Sequence, residues 1–140
     1  MIVRADDDLG SPVTTVRGTY FLRPGSQSIG EHITTWPTQQ EQLVQKVDGA
    51  VRHCTGFTQY YPATAESARW KPKRLAIPGL VDGIAVRLET EDNSITWGYY
   101  VAYVVRGGTV LSLTTGSTVS EADFIRITKK AAERLRAASR

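Results

Sequence analysis

The chain has 140 residues, 41% hydrophobic and 22% charged, which fits one soluble domain large enough to bury a core without disulfides or metals. Its 17 Lys and Arg against 14 Asp and Glu leave a net charge of +3, an excess too small to point to a nucleic-acid partner. No apolar run reaches the length of a signal peptide or a membrane span, so the chain is either cytosolic or a segment whose export signal or anchor lies outside it.

Residues 1–11, with the DDD run and Gly-Ser-Pro, read as a flexible acidic arm. The Val-, Thr-, Tyr- and Phe-rich VTTVRGTYFLRPG that follows predicts a first strand, closed at Pro24-Gly25. TQQE at 38–41 has the form of a capping box, Thr38 with Glu41. Leu43, Val47, Ala50, Val51 and Cys54 then form one apolar stripe at helical spacing, stopped by Gly56.

Beyond Gly56 the pattern turns extended. FTQYY and KRLAI read as strands separated by ATAESARWKPK, and GIAVRLET alternates apolar and polar residues. EDNS turns the chain into ITWGYYVAYVV, and RGG turns it into TVLSLTTG. A second capping box, Thr118 with Glu121, opens a helix with Phe124, Ile127, Ala131 and Leu135 on one stripe. These elements predict an α+β fold over 12–140: an antiparallel sheet of about five or six strands, with two helices, about 38–54 and 120–138, packed on one face.

A four-residue EDNS loop pairs Leu88 with Trp97, Val86 with Tyr99 and Ile84 with Val101, while the Gly-Gly turn pairs Val105 with Val110. That face is the more apolar and is assigned to the core. The opposite face, with Ala85, Arg87, Glu89, Tyr100, Ala102, Leu111 and Leu113, is mixed, and a ligand groove or partner surface is expected there. The candidate binding residues are Arg87 to pair an anion, Tyr100 as a stacking wall, Trp70 as the rim, and Glu89 beside them.

Catalytic chemistry has little support. Cys54 lies on the stripe of a helix, and its neighbour His53 points about 100° away, so the two are not a nucleophile–base pair. Two histidines and one cysteine without ligand spacing predict no metal, and no cofactor is expected. Asp82 reads as a turn residue, Glu41 and Glu121 as caps. RWKPKR at 69–74 interleaves four cations with Trp70 and Pro72, a composition able to grip phosphates or headgroups. Its simpler reading is a basic loop with Trp70 folded on the core. Arg126, Lys130 and Arg134 read as a solvated helix face.

The order of these features resembles a known family. A capped helix ending in HCTG is followed by the Trp-containing RWKPKR, the hairpin YYVAYVVRGGTVLSLTT and a closing helix SEADFIRITKKAAERL. This arrangement, over roughly 38–138, is similar to the extracytoplasmic sensor domain of PknH-type actinobacterial serine/threonine kinases and related small lipoproteins. The resemblance implies helices packed on a sheet, a cleft for ligand sensing, no catalysis and export to the cell envelope. The family usually carries disulfides, whereas Cys54 has no partner in this chain.

The function expected is therefore a non-catalytic, extracytoplasmic sensor-like or ligand-binding domain, secreted or envelope-associated. It would hold an envelope-derived small molecule or a protein partner on the mixed sheet face. A small α+β hydrolase or isomerase, possibly of secondary metabolism, and a dimeric interaction module are the alternatives. Nucleic acid is not an expected partner. A peripheral membrane contact through Arg69–Arg74 and a homodimer stay open, as does a cytoplasmic location.

Overall fold

The computed structural model describes residues 12–22, 27–90, 98–115 and 119–139. The acidic arm, the Pro24-Gly25 and EDNS turns, Trp97 and Thr118 lie outside the described residues. Seven strands and two helices follow in the order β1 (Thr14–Phe21), β2 (Ser28–Thr35), α1 (Gln42–His53), β3 (Phe57–Tyr61), β4 (Glu66–Leu75), β5 (Gly83–Thr90), β6 (Gly98–Arg106), β7 (Thr109–Thr115) and α2 (Glu121–Ala138). All pairings are antiparallel, in the sheet order β1-β2-β7-β6-β5-β4-β3. The α+β class is as expected, with more strands than the five or six predicted.

One strand, β2, accounts for the difference, and β4 is longer than the expected KRLAI. β2, SIGEHITT, hides its alternation because Gly30, Glu31 and His32 interrupt the apolar positions, yet Ile29 is fully buried. β4 runs straight through ESARWKPKRL despite Pro72. β3 pairs with β4 only as far as Trp70, so Pro72 lies past its end, where a missing N–H breaks no ladder.

The two helices lie on opposite faces, not on one. Leu43, Val44 and Val47 of α1 pack with Trp36, Tyr103, Val105 and Val110. Phe124, Ile127, Ala131, Ala132 and Leu135 of α2 pack with Tyr100, Ala102, Val104, Leu111 and Leu113. Along β6 these partners alternate, so each helix takes one side of the pleat. The cause is legible in hindsight: β6 is apolar at both parities, and a strand apolar on both sides needs cover on both.

The β5–β6 register differs from expectation by two residues. Leu88 pairs with Tyr99, Val86 with Val101 and Ile84 with Tyr103, while Val105 pairs with Val110 as expected. A shift of two preserves every side chain's face, where a shift of one would have exchanged them. Close backbone approaches require glycine at Gly83 in β5 and Gly108 in the β6–β7 turn, among others. A Cβ on Gly83 would come 2.4 Å from the Tyr103 carbonyl, and one on Gly108 would come 2.5 Å from that of Trp36.

The Thr38–Glu41 box does not cap α1. The backbone N–H groups of Trp36 and Gln40 donate to Gly108 and Gly107 at 2.7 and 2.8 Å, tying this segment to the β6–β7 turn. Thr38 Oγ1 instead accepts from Gln40 Nε2 at 2.9 Å, and the helix begins after Glu41 with no side-chain cap. For α2 the cap is Ser120, whose Oγ accepts from the Asp123 N–H at 3.1 Å.

Asp82, expected as a turn residue, joins the start of β5 to the end of α2. Its carboxylate accepts from Arg136 at 2.7 and 3.1 Å, with Arg106 at 3.6 Å. Burial pushes this carboxyl up, but the hydrogen bond and charge of Arg136, with Arg106 behind, hold it below its ordinary value of 3.8. A carboxylate with a depressed folded pKa adds stability above its unfolded pKa, and that stability is lost as pH falls through the folded value. Burial raises Glu31 above 4.5, and Glu31 therefore acts in the opposite sense. Comparing wild type with Asp82→Asn isolates the first effect. The gap in urea midpoint between the two should narrow as pH falls from about 6 to about 3; a constant gap would show that Asp82 is not stabilised by this pairing.

Candidate functional site

Neither helix covers its whole face. α2 rests on β6 and β7, α1 on β4, β5 and β6. On the α2 side, β3 and the stretches of β4 and β5 around Lys71 and Glu89 are left open, whereas Ala85 and Leu75 pack in the cluster under α2. Thr58, Tyr60, Ser67, Arg69, Lys71 and Lys73 share that side by pairing and alternation, and all are exposed.

Arg87 stands where this open half-face meets α2. Its Nε lies 3.3 Å from Glu89 Oε1 and its Nη1 3.6 Å from Glu121 Oε2. The guanidinium carbon sits 5.9 Å from the centroid of the Tyr100 ring, close enough for a cation–π contact. Tyr100 in turn stacks on Phe124 with centroids 5.2 Å apart, and Glu121 lies near its hydroxyl. Burial, with Glu121 and Glu89 nearby, pushes the Tyr100 hydroxyl above 10.0, although Arg87 opposes the shift. The hydrogen bond from Lys73, at 2.6 Å, holds Glu89 below 4.5, helped by the charges of Lys73, Arg87 and Lys71 and opposed by burial. Arg87 Nε is buried and makes no hydrogen bond: its approach to Glu89 is close but misdirected. A buried, unsatisfied donor of a charged group is costly and is where an incoming acceptor gains most.

Three of the four predicted binding residues, Arg87, Glu89 and Tyr100, therefore meet at one place. Trp70 does not join them. It is 2% exposed and lies on the α1 side, 5.0 Å from the Tyr99 ring. Tyr100 itself is 7% exposed, a wall with only its edge available. Lys71 and Lys73, expected only as part of the basic RWKPKR run, lie on the same half-face as Arg87. Their signal was strand alternation through RWKPKR, obscured by Pro72.

The apolar centre of the mixed face, Ala85, Ala102, Leu111 and Leu113, is not a groove, because α2 fills it. On the helix, Arg134 is not simply solvated: it pairs with Glu31 at 2.9 Å and lies over Tyr20. Cys54 caps the end of α1, half-buried. The His53 ring turns back, its Nδ1 2.7 Å from the Gly49 carbonyl, as expected for two residues that do not form a dyad. Among the described residues, no three of His, Cys, Asp and Glu stand together to hold a metal ion. A separate open concavity of about 530 Å³ lies along the outer side of α2, between Ala122, Ile125, Arg126, Lys129, Lys130 and Glu133.

With this geometry in place, comparison with known proteins gives one informative likeness. The fold is similar to that of the extracellular domain of PknH from Mycobacterium tuberculosis, with a TM-score of 0.58 and 17% sequence identity. The match covers 88% of this chain and 63% of the PknH domain. At that identity the two share a fold, and the chain spans less than two thirds of its neighbour. No protein-family model and no curated protein matches the sequence. Among the described residues, no helix is long and apolar enough to cross a membrane.

Proposed function

We propose that this chain is a non-catalytic, extracytoplasmic sensor-like domain that holds a ligand on the open half-face beside α2, with Arg87 as the anion-pairing group. The observation that carries the reading is the Arg87 guanidinium, bordered by Tyr100 and Glu89, with a buried Nε that makes no hydrogen bond. The likeness in fold to an extracellular kinase domain supports the extracytoplasmic setting and a sensing role. Glu89 and Glu121 hold the guanidinium in place without saturating it. An arriving carboxylate or phosphate would complete its donors, with the Tyr100 ring edge as an apolar wall.

A thermal-shift screen of anionic envelope fragments, acyl compounds and nucleotides tests this directly. A ligand that binds only the folded state should add about 2.7 kcal/mol at 100 times its Kd. Arg87→Ala should then weaken that ligand about ten- to a hundredfold, the worth of a charge-assisted hydrogen bond, while Arg52→Ala on the opposite face leaves it unchanged. Equal affinity in wild type and Arg87→Ala would remove this half-face as the binding site.

A further inference from the structure

The sheet ends in two strands of different kinds. β3 is five residues long with alternate side chains half-buried, whereas β1 runs for eight residues, exposed at every position but the half-buried Tyr20. Among the described residues, no strand takes up the backbone N–H and C=O groups on the outer edge of β1. Short length protects an edge from pairing with another chain, as do Lys, Pro and bulges. β1 has none of these. It contains no Lys or Pro, pairs with β2 without interruption from Thr14 to Phe21, and holds one charge, Arg17. Val16 and Phe21, 59% and 78% exposed, are left in water along it.

The side chains of β1 suit an antiparallel copy of β1 itself. A two-fold axis normal to the sheet joins two such edges with each face continuous. Centred on Gly18, it sets Val16 of one copy opposite Tyr20 of the other on the α2 side. On the α1 side it sets Arg17 opposite Thr19, and Thr15 opposite Phe21. Each pair occurs twice, and Val–Tyr and Thr–Phe are the β-branched–aromatic pairs that stabilise sheets. Centring on Arg17 would bring two guanidinium groups face to face, and centring on Thr19 would leave Tyr20 opposite a glycine. A strand of another protein would have to supply this pattern, which β1 already contains.

We infer that β1 is a homodimerisation edge, pairing antiparallel with β1 of a second copy about a two-fold axis at Gly18. The two sheets become one, with both α2 helices on one side and both α1 helices on the other. β2, β7 and β6 separate β1 from β5, so the half-face bearing Arg87 stays open in the dimer. The two ligand faces then lie towards opposite ends of the joined sheet and point the same way. Dimerisation does not rest on the ligand reading, and each stands or falls by its own test.

Sedimentation equilibrium of the full chain over a range of concentrations tests this, and the mass should reach that of two chains. Thr19→Lys, which sets a cation opposite Arg17 at both pairs, should weaken association. Thr19→Glu should tighten it about two- to thirtyfold at low salt, the worth of two cross-strand ion pairs. Tyr60→Lys, on the β3 edge, should change nothing. Circular dichroism checks that each variant is folded. The register is read by mild oxidation in a Cys54→Ser background, which removes the one native thiol. Residues directly opposite have Cα atoms about 4.5–5.5 Å apart, within disulfide reach, and a Cβ on Gly18 would meet nothing closer than Glu31 at 3.9 Å. Gly18→Cys should therefore give a covalent dimer. Arg17→Cys, with its mate on the diagonal at about 7–8 Å, should not. A one-chain mass at concentrations up to about 1 mM overturns the inference. So does a dimer that Thr19→Lys leaves intact or Tyr60→Lys dissolves, or cross-linking through Arg17→Cys in place of Gly18→Cys.

Discussion

Trp70→Ala is expected to destabilise the chain by about 3–5 kcal/mol, the range for emptying a large aromatic site in a core. Trp70 is 2% exposed, lies across from Phe57 on β3 and from Thr90 on β5, and meets the Tyr99 ring at 5.0 Å. No helix residue replaces the lost volume, because the indole is fixed by strands on both sides. Against a total stability of about 5–15 kcal/mol for a domain, the loss is about a fifth or more. It should appear as a lower denaturant midpoint with an unchanged slope, and Trp70→Phe should recover most of it. A ligand that depends on Arg87 should bind folded Trp70→Ala with wild-type affinity, since the two residues occupy opposite faces. Near-wild-type stability together with lost binding would return Trp70 to the rim of the site.

Phe124→Ala should cost a similar amount, about 3–5 kcal/mol, but with a different consequence for the site. Phe124 is fully buried in the first turn of α2 and stacks on Tyr100 at 5.2 Å. It links the helix that carries Glu121 to the strand that carries Tyr100. Its removal loosens the two groups that border Arg87, so weaker binding of an Arg87-dependent ligand should accompany the lower midpoint. Phe124→Leu, which keeps most of the buried volume, should lose less of both. Were Phe124→Ala to unfold more readily yet bind with unchanged affinity, the orientation of Arg87 would not depend on α2.

Much of the site was readable before the fold. Arg87, Glu89 and Tyr100 sit on a common face by alternation alone, and a register error of two residues left that face intact because the period of a strand is two. Trp70 fails as a rim residue, while the simpler reading of the run, with Trp70 folded on the core, holds. Pro72 made RWKPKR look like a loop, and a loop carries no parity to assign Arg69 and Lys71 to one face. Once β4 is continuous, the parity assigns all six residues.

Local sequence by itself determined the α2 stripe of Phe124, Ile127, Ala131 and Leu135, the first strand, the hairpin closed at Gly107-Gly108 and the α+β class. Each of these depends on periodicity or turn chemistry within a few residues. Which side of the sheet each helix takes was decided only by tertiary structure. β6 presents apolar side chains on both faces, so its pattern asks for cover without saying which helix supplies it. The fold sends α1 from β2 to the far edge across one face and α2 back from β7 across the other. What each helix leaves uncovered is then a matter of where it ends, and that placed Arg87, Lys71 and Lys73 on an open surface and Trp70 in the core.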